Sequence, residues 1–165
     1  MKIGILSDSH NDIDHLAAAL KILDRESIHV VICCGDVVDA ACVPLFAGLE
    51  LHLVEGNMDT HPQDIVRSVT YLGNDSTFGL EYQAVIDNKR IVAMHGHHEG
   101  RLNEAVRSGD FDYVFHGHTH RRRDERVNST RVINPGALGG TRHESRSIAI
   151  LDLTHDDLHV IEITP

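Results

Sequence analysis

Apolar residues along this chain follow two different periods, and the change from one to the other divides it. In the first third, short and nearly unbroken apolar runs occur at Lys2–Ser7 (KIGILS), His29–Cys34 and Leu51–Val54. Such runs suit strands buried on both faces of a parallel sheet. Between the first two, Asp12–Glu26 sets Leu16, Leu20 and Leu23 on one helical face behind an Asn11 or Asp12 cap. Strand, helix and strand in that order make a β-α-β unit, and a weaker helical stretch follows at Ala40–Ala47. In open α/β sheets the loops after parallel strands gather on one edge and form the usual ligand crevice.

The second half reads as hairpins. Leu80–Ile86 and Arg90–Met94 flank Asp87-Asn88-Lys89, Glu125–Val127 and Arg131–Ile133 flank Asn128-Ser129, and Ser147–Leu153 and Leu158–Ile163 flank Thr154–Asp157. A short helix is expected at Arg101–Arg107 and a short strand at Tyr113–Phe115. Parallel pairing followed by antiparallel pairing predicts an α/β fold with two mixed sheets stacked as a sandwich. Residues 1–165 are expected to form a single domain, since no repeat, low-complexity run or Pro/Gly/Ser linker divides them.

Composition changes this picture in three ways. A chain of 165 residues buries roughly 70% of its unfolded surface, so it needs no metal staple to fold, and any metal it holds is expected to serve catalysis. Cys33, Cys34 and Cys42 lack paired C-x-x-C spacing and read as reduced core residues. No segment reaches the ~20 apolar residues of a membrane span, and the first run stops too early for a secretory signal, so the cytoplasm is the expected location and no membrane partner is expected. The formal charge of −10 opposes binding of long nucleic acids, whose affinity comes mainly from Lys and Arg.

The polar residues just beyond the apolar runs carry the chemistry. Asp8-Ser9-His10, Gly35-Asp36, Gly56-Asn57, His95-Gly96-His97 and His116-Gly117-His118-Thr119-His120 follow successive strand-like segments. Each motif is common alone; their ordered recurrence at strand ends is not. Hard oxygen and borderline nitrogen donors together suit divalent transition metals. Asp8 and His10, two apart, are expected to leave an extended segment on the same side, and His118 and His120 repeat that spacing. Asp36, with two carboxylate oxygens, is the natural ligand shared by two ions at the ~3.5–4 Å spacing of two-metal chemistry. Asp39 reads as a cap or a supporting group, with Asp59 in the same class. His97, His98 and Arg121 are further candidates for substrate contact, and Arg121-Arg122-Arg123 is expected to line the mouth or to be a solvated strand start. His15, His29, His52, His61, His155 and His159 are taken as ordinary surface or strand residues.

These five segments resemble the pattern of the calcineurin-like metallophosphoesterases: D-x-H, G-D-x-x-D, G-N-H-D/E, a strand-end H, then G-H-x-H. Asn134-Pro135-Gly136-Ala137 is similar to a segment of the small single-domain phosphodiesterases in that superfamily. The resemblance implies a four-layer α-β-β-α sandwich and two divalent ions, with Mn²⁺ the leading choice and Ni²⁺, Fe, Co²⁺ or Zn²⁺ compatible. It implies one ion on Asp8, His10, Asp36 and His120, and another on Asp36, Asn57, His95 and His118, with Asp36 bridging. Asp36, Asn57 and His95 would be the catalytic group. A metal-bridging hydroxide would attack phosphorus in line on a small phosphodiester or nucleotide-like substrate, and a homodimer or homotetramer is compatible with the family. The alternatives are a phosphomonoesterase and a non-catalytic interaction scaffold of the same fold. Where many members carry histidine after the asparagine, this chain has Met58, which cannot pass a proton to a leaving group. That departure points to activated or cyclic phosphodiesters, or to a substitute donor such as His97 or His98.

Overall fold

In the computed structural model, which describes residues 1–141 and 143–164, the first strand, β1 (Lys2–Leu6), alternates its side chains between two separate cores. Ile3 and Ile5 pack toward the second sheet, whereas Leu6 joins the helix-covered core. Strand β2 (Val30–Cys33) does the same with Ile32 on one side and Val31 and Cys33 on the other. The continuous apolar run therefore reflects burial on both faces, as parallel sheets require.

β1, β2 and β3 (Glu50–Val54) pair in parallel. They are joined by α1 (Ile13–Arg25) and by a 3-10 helix at Ala40–Phe46, where the chain reads as weakly helical and where Pro44 lies inside the turn. Asp12 caps α1 by accepting the His15 N–H at 3.3 Å. After β3 come α2 (Pro62–Leu72) and the three-residue β4 (Thr77–Gly79), neither of which the sequence reading placed. β4 is a short edge strand with little pattern to read, while α2 packs Ile65, Val69 and Leu72 on the core between Pro62 and Gly73, a helical spacing the expectations above did not use.

The remaining elements are β5 (Glu81–Ile86), β6 (Lys89–Met94), α3 (Glu99–Ser108), β7 (Tyr113–Phe115), β8 (Arg123–Val127), β9 (Thr130–Asn134), β10 (Ser147–Asp152) and β11 (Asp157–Glu162). The first sheet runs β11-β10-β1-β2-β3-β4 and the second β5-β6-β7-β9-β8. Both are mixed, and within the second sheet β6, β7 and β9 are parallel. α1, the 3-10 helix and α2 cover the outer face of the first sheet, α3 covers the second, and the sheets share a core built around Ile5, Ile32, Phe115 and Ile133. The expected four layers are present, and all three cysteines are buried free thiols. No helix among the described residues is long and apolar enough to cross a membrane.

Candidate metal centre

Parallel strands of both sheets, β1, β2 and β3 of the first and β6 and β7 of the second, end in the loops that carry the polar motifs. Asp8 follows β1 and Asp36 follows β2; both are buried, with 0% and 2% of their surface exposed. His95 follows β6, and His118 and His120 follow β7.

The local backbone corrects one expectation. Asp8, His10, Asp36, His118 and His120 all have positive φ, between 46° and 65°. The two-apart pairs therefore do not share a side by strand alternation; tight left-handed turns aim them. Two glycines explain how such turns fit. A Cβ on Gly56 would fall 2.1 Å from Asp36 Oδ1, and one on Gly117 would fall 1.8 Å from Ser7 Oγ. In both motifs glycine is required because the facing loop's side chain occupies that space.

Asp8, His10, Asp36 and His120 converge so that one donor atom from each lies within 4.8 Å of every other. His120 Nε2 is 3.3 Å from Asp8 Oδ1, His10 Nε2 is 3.7 Å from Asp36 Oδ2, and the two Nε2 atoms are 3.1 Å apart. Ligands around a four-coordinate ion with bonds of about 2.0–2.2 Å stand roughly 3.3–3.6 Å apart, so the set fits a small divalent cation. Around His95 a second, looser group forms: His95 Nε2 is 3.3 Å from Asp36 Oδ2 and 3.0 Å from Asn57 Oδ1, and its ring lies 5.1 Å from that of His118. A single oxygen, Oδ2, faces both groups, while Asp36 Oδ1 accepts the Met58 N–H at 2.8 Å. Both contacts therefore fall on one carboxylate oxygen of Asp36.

The imidazoles are held by backbone. His95 Nδ1 lies 2.7 Å from the Cys34 carbonyl, and His120 Nδ1 bonds the Thr141 carbonyl. An Nδ1–H donated to a carbonyl fixes the ring and leaves Nε2 free as a lone pair, the usual support of a histidine that binds metal. The carboxylate Asp8 accepts the His118 N–H at 3.1 Å.

Proton affinities follow these contacts. Hydrogen bonding to Asp8 lifts His120 to about 9 against the opposing effect of burial. Burial pulls His95 down, but its hydrogen bond and charge pairing with Asp36 outweigh this and raise it. Burial lowers His118, helped by the charge of His95, and takes His116 down to about 4. His116 rests between the Gly117 carbonyl at 3.1 Å and Arg123 at 3.4 Å, so it supports the loop.

The other candidates separate clearly. Asp59 accepts the N–H groups of Asp36, Val38 and Gly56 at 3.2, 2.6 and 2.7 Å, tying together the loops after β2 and β3. Asp39 caps the 3-10 helix through Ala41 N–H at 2.8 Å. His97 stands near the looser group, its ring 5.5 Å from His95, with a buried Nδ1 that has no hydrogen-bond partner. His98 is exposed at the start of α3, and Arg121 is exposed beside the cluster. Arg122 and Arg123 do not line a mouth: Arg122 pairs with Glu162 and Arg123 with Glu125. Asn134 braces the loop after β7, donating to the Gly117 carbonyl at 2.8 Å. His52 is a buried strand residue stacked on Tyr82. The Thr141 carbonyl has no side-chain signature, so sequence motifs could not reveal it. A cleft of about 450 Å³ between β5 and α3 contains none of the converging residues; donor chemistry, rather than cavity size, locates this site.

The sequence profile of the calcineurin-like phosphoesterase superfamily domain matches residues 1–156. The chain is 33% identical to Phosphodiesterase MJ0936 of Methanocaldococcus jannaschii over 154 residues, covering 92% of this chain and 93% of that protein. The solved structure of an archaeal phosphodiesterase superposes with a TM-score of 0.93 at 31% identity, covering 99% of this chain and 100% of the other. Vps29 from Entamoeba histolytica, solved with Zn²⁺, shares the fold at a TM-score of 0.68 and 21% identity, covering 97% of this chain and 90% of that one. With the motifs, the layered fold and these likenesses together, the chain belongs to the calcineurin-like phosphoesterase superfamily.

Proposed function

We propose that this chain is a metal-dependent phosphodiesterase acting on small or nucleotide-like phosphodiesters. The observation that carries the reading is the convergence of Asp8, His10, Asp36 and His120 with His120 oriented by a backbone carbonyl. The likeness to Phosphodiesterase MJ0936 favours a diester over a monoester substrate. One ion would be held by Asp8, His10, Asp36 and His120, and a second by Asp36, Asn57, His95 and His118. Divalent ions there, Mn²⁺ foremost, would polarise the phosphoryl group and supply a deprotonated water as nucleophile at neutral pH.

The chain's own residues set what surrounds that chemistry. Asp36 is fixed through the Met58 N–H, so its Oδ2 keeps one position toward both histidine groups. Asp59 holds the backbone that carries it. Met58 itself is 45% exposed beside Asn57 and has no proton to give. This favours good or strained leaving groups, hence activated or cyclic diesters. The acidic surface disfavours long nucleic acids. A cytoplasmic location and a homodimer or homotetramer complete the proposal.

The test is hydrolysis of bis-p-nitrophenyl phosphate beside p-nitrophenyl phosphate, by metal-stripped protein reconstituted with Mn²⁺. Diesterase activity that requires the ion is expected. Tight binding of two ions with no turnover of either ester would instead favour a scaffold.

A further inference from the structure

The motifs that carry the ligands omit the segment between β9 and β10, yet its backbone lies directly on the tighter group. Leu138 N–H donates to the Ser7 carbonyl at 3.2 Å and Gly139 N–H to the Asp8 carbonyl at 2.8 Å. A Cβ on Gly140 would fall 2.6 Å from His10 Cδ2, and the next carbonyl, Thr141, accepts from His120 Nδ1. Both imidazoles of this group are therefore seated by consecutive residues of one loop.

Beyond Thr141 the described residues of that loop are held by polar contacts. Thr141, His143, Glu144 and Ser145 are exposed and polar, with no apolar side chain to anchor them in a core. Its placement comes from Arg122, just two residues beyond His120. The Arg122 backbone N–H donates to Glu144 Oε2 at 2.9 Å. Its guanidinium donates to the Ser145 carbonyl at 3.0 Å, Ser147 Oγ at 2.9 Å and Glu162 Oε1 at 3.1 Å. Arg146 adds a second fastening to Asp12 at 2.9 Å, next to the α1 cap. Partly exposed ion pairs contribute little to global stability, so a guanidinium that ties the Ser145 carbonyl of the loop to Ser147 of β10 and Glu162 of β11 is better explained by what the loop positions.

We propose that Arg122 is a positioning residue for the ion set Asp8, His10, Asp36 and His120: by holding Glu144 and Ser145 it keeps the loop in place so that Thr141 orients His120 and Gly140 seats His10. The proposal rests on the metal reading above. A ligand histidine whose Nδ1–H loses its acceptor can rotate or change tautomer, and such losses cost about 10–100-fold in metal affinity. Arg122 acts through the loop, so the low end, about tenfold, is expected.

The experiment compares wild type with Arg122→Met, which keeps most of the aliphatic stem and the backbone N–H and removes the guanidinium donors. Metal-stripped protein is titrated with Co²⁺ by calorimetry, with the visible absorption of the bound ion recorded and the melting temperature of the ion-free protein measured separately. One of two sites should weaken about tenfold with an altered spectrum, while the other site and the melting temperature stay near wild type. In a His120→Ala background the same change should have a smaller effect, since only the seating of His10 by Gly140 is left to lose. Unchanged affinities and spectrum would overturn the proposal, as would equal weakening of both sites with a lower melting temperature. Should Arg122→Met fail to fold, Glu144→Gln with Glu162→Gln loosens the same fastening and is judged by the same two criteria. A wild-type chain that takes up no ion would overturn the metal reading itself, a result distinct from two sites that ignore Arg122.

Discussion

The two sheets bring different chemistry to their common edge. The first supplies the carboxylates Asp8 and Asp36, both buried at the ends of largely apolar strands, with one imidazole, His10, and the amide of Asn57. The second supplies His95, His118 and His120, of which His118 is exposed and His120 half-buried. Neither sheet orients its own groups fully. Asp8 is held by the His118 N–H from the second sheet, and His95 by the Cys34 carbonyl from the first. The centre is therefore a property of the packed sandwich: the core between the sheets that aligns Ile5 and Ile32 with Phe115 and Ile133 also sets the distance between carboxylate and imidazole.

The sharpest way to break this comparison is Asp36→Ala, because Asp36 Oδ2 is the atom that faces both groups. Loss of both ions and a fall in diesterase rate of about 10³-fold or more are expected, the upper end for removal of one charge-stabilising group. Residual activity within tenfold of wild type, measured beside metal content, would rule out the shared role.

Protonation gives the next largest effect and separates two histidines on one loop. In the metal-free protein His120 is raised to about 9, so its pairing with Asp8 contributes stability fully present below about 6.5 and lost as pH rises through about 9. His116, lowered to about 4, works in the opposite sense: stability falls as pH drops from about 6.5 toward 4, because the unfolded chain takes up a proton that the buried ring resists. The alkaline loss is at most about 3 kcal/mol. Thermal melts of wild type and His120→Gln across pH 6–10 should show the alkaline arm only in wild type.

Gly117→Ala tests the contact between the sheets directly, since the new methyl would meet Ser7 Oγ and, at 2.6 Å, Asp8 Oδ2. Overpacking of this kind costs about 1–3 kcal/mol. A melting temperature lowered by several degrees, with weaker ion binding, is expected; a variant as stable as wild type would show that the loop yields without moving the carboxylate.

The smallest effect belongs to the exposed rim. Met58→His restores a proton-bearing side chain beside Asn57 without touching the backbone bond to Asp36. About tenfold faster hydrolysis of diesters with poor leaving groups is expected, below the 10²- to 10⁴-fold of a fully placed general acid. Rates measured against leaving-group pKa should give a shallower slope, and an unchanged slope would remove leaving-group protonation from the account.

Hydrophobic pattern and ligand motifs made much of this molecule legible in advance. The buried runs at β1, β2 and β3, the Leu16, Leu20 and Leu23 stripe of α1 and the Asp87-Asn88 turn are local signals, because each residue's burial or φ is dictated within a few positions. β4 escaped because a three-residue edge strand carries too few positions for a pattern, whereas α2 was legible and missed: Ile65, Val69 and Leu72 recur at helical spacing between Pro62 and Gly73. Residue types and spacing likewise determined that carboxylates and imidazoles would collect at strand ends, since a donor's chemistry travels with its side chain. Only the tertiary structure decided that Asp8 and His120 are aimed by left-handed turns, that one oxygen of Asp36 faces both groups, and that the Thr141 carbonyl and the Arg122 fastening complete the setting of His120. Those contacts are made by backbone atoms every residue possesses, or by an arginine whose acceptors lie more than twenty positions away, so only the fold could identify them.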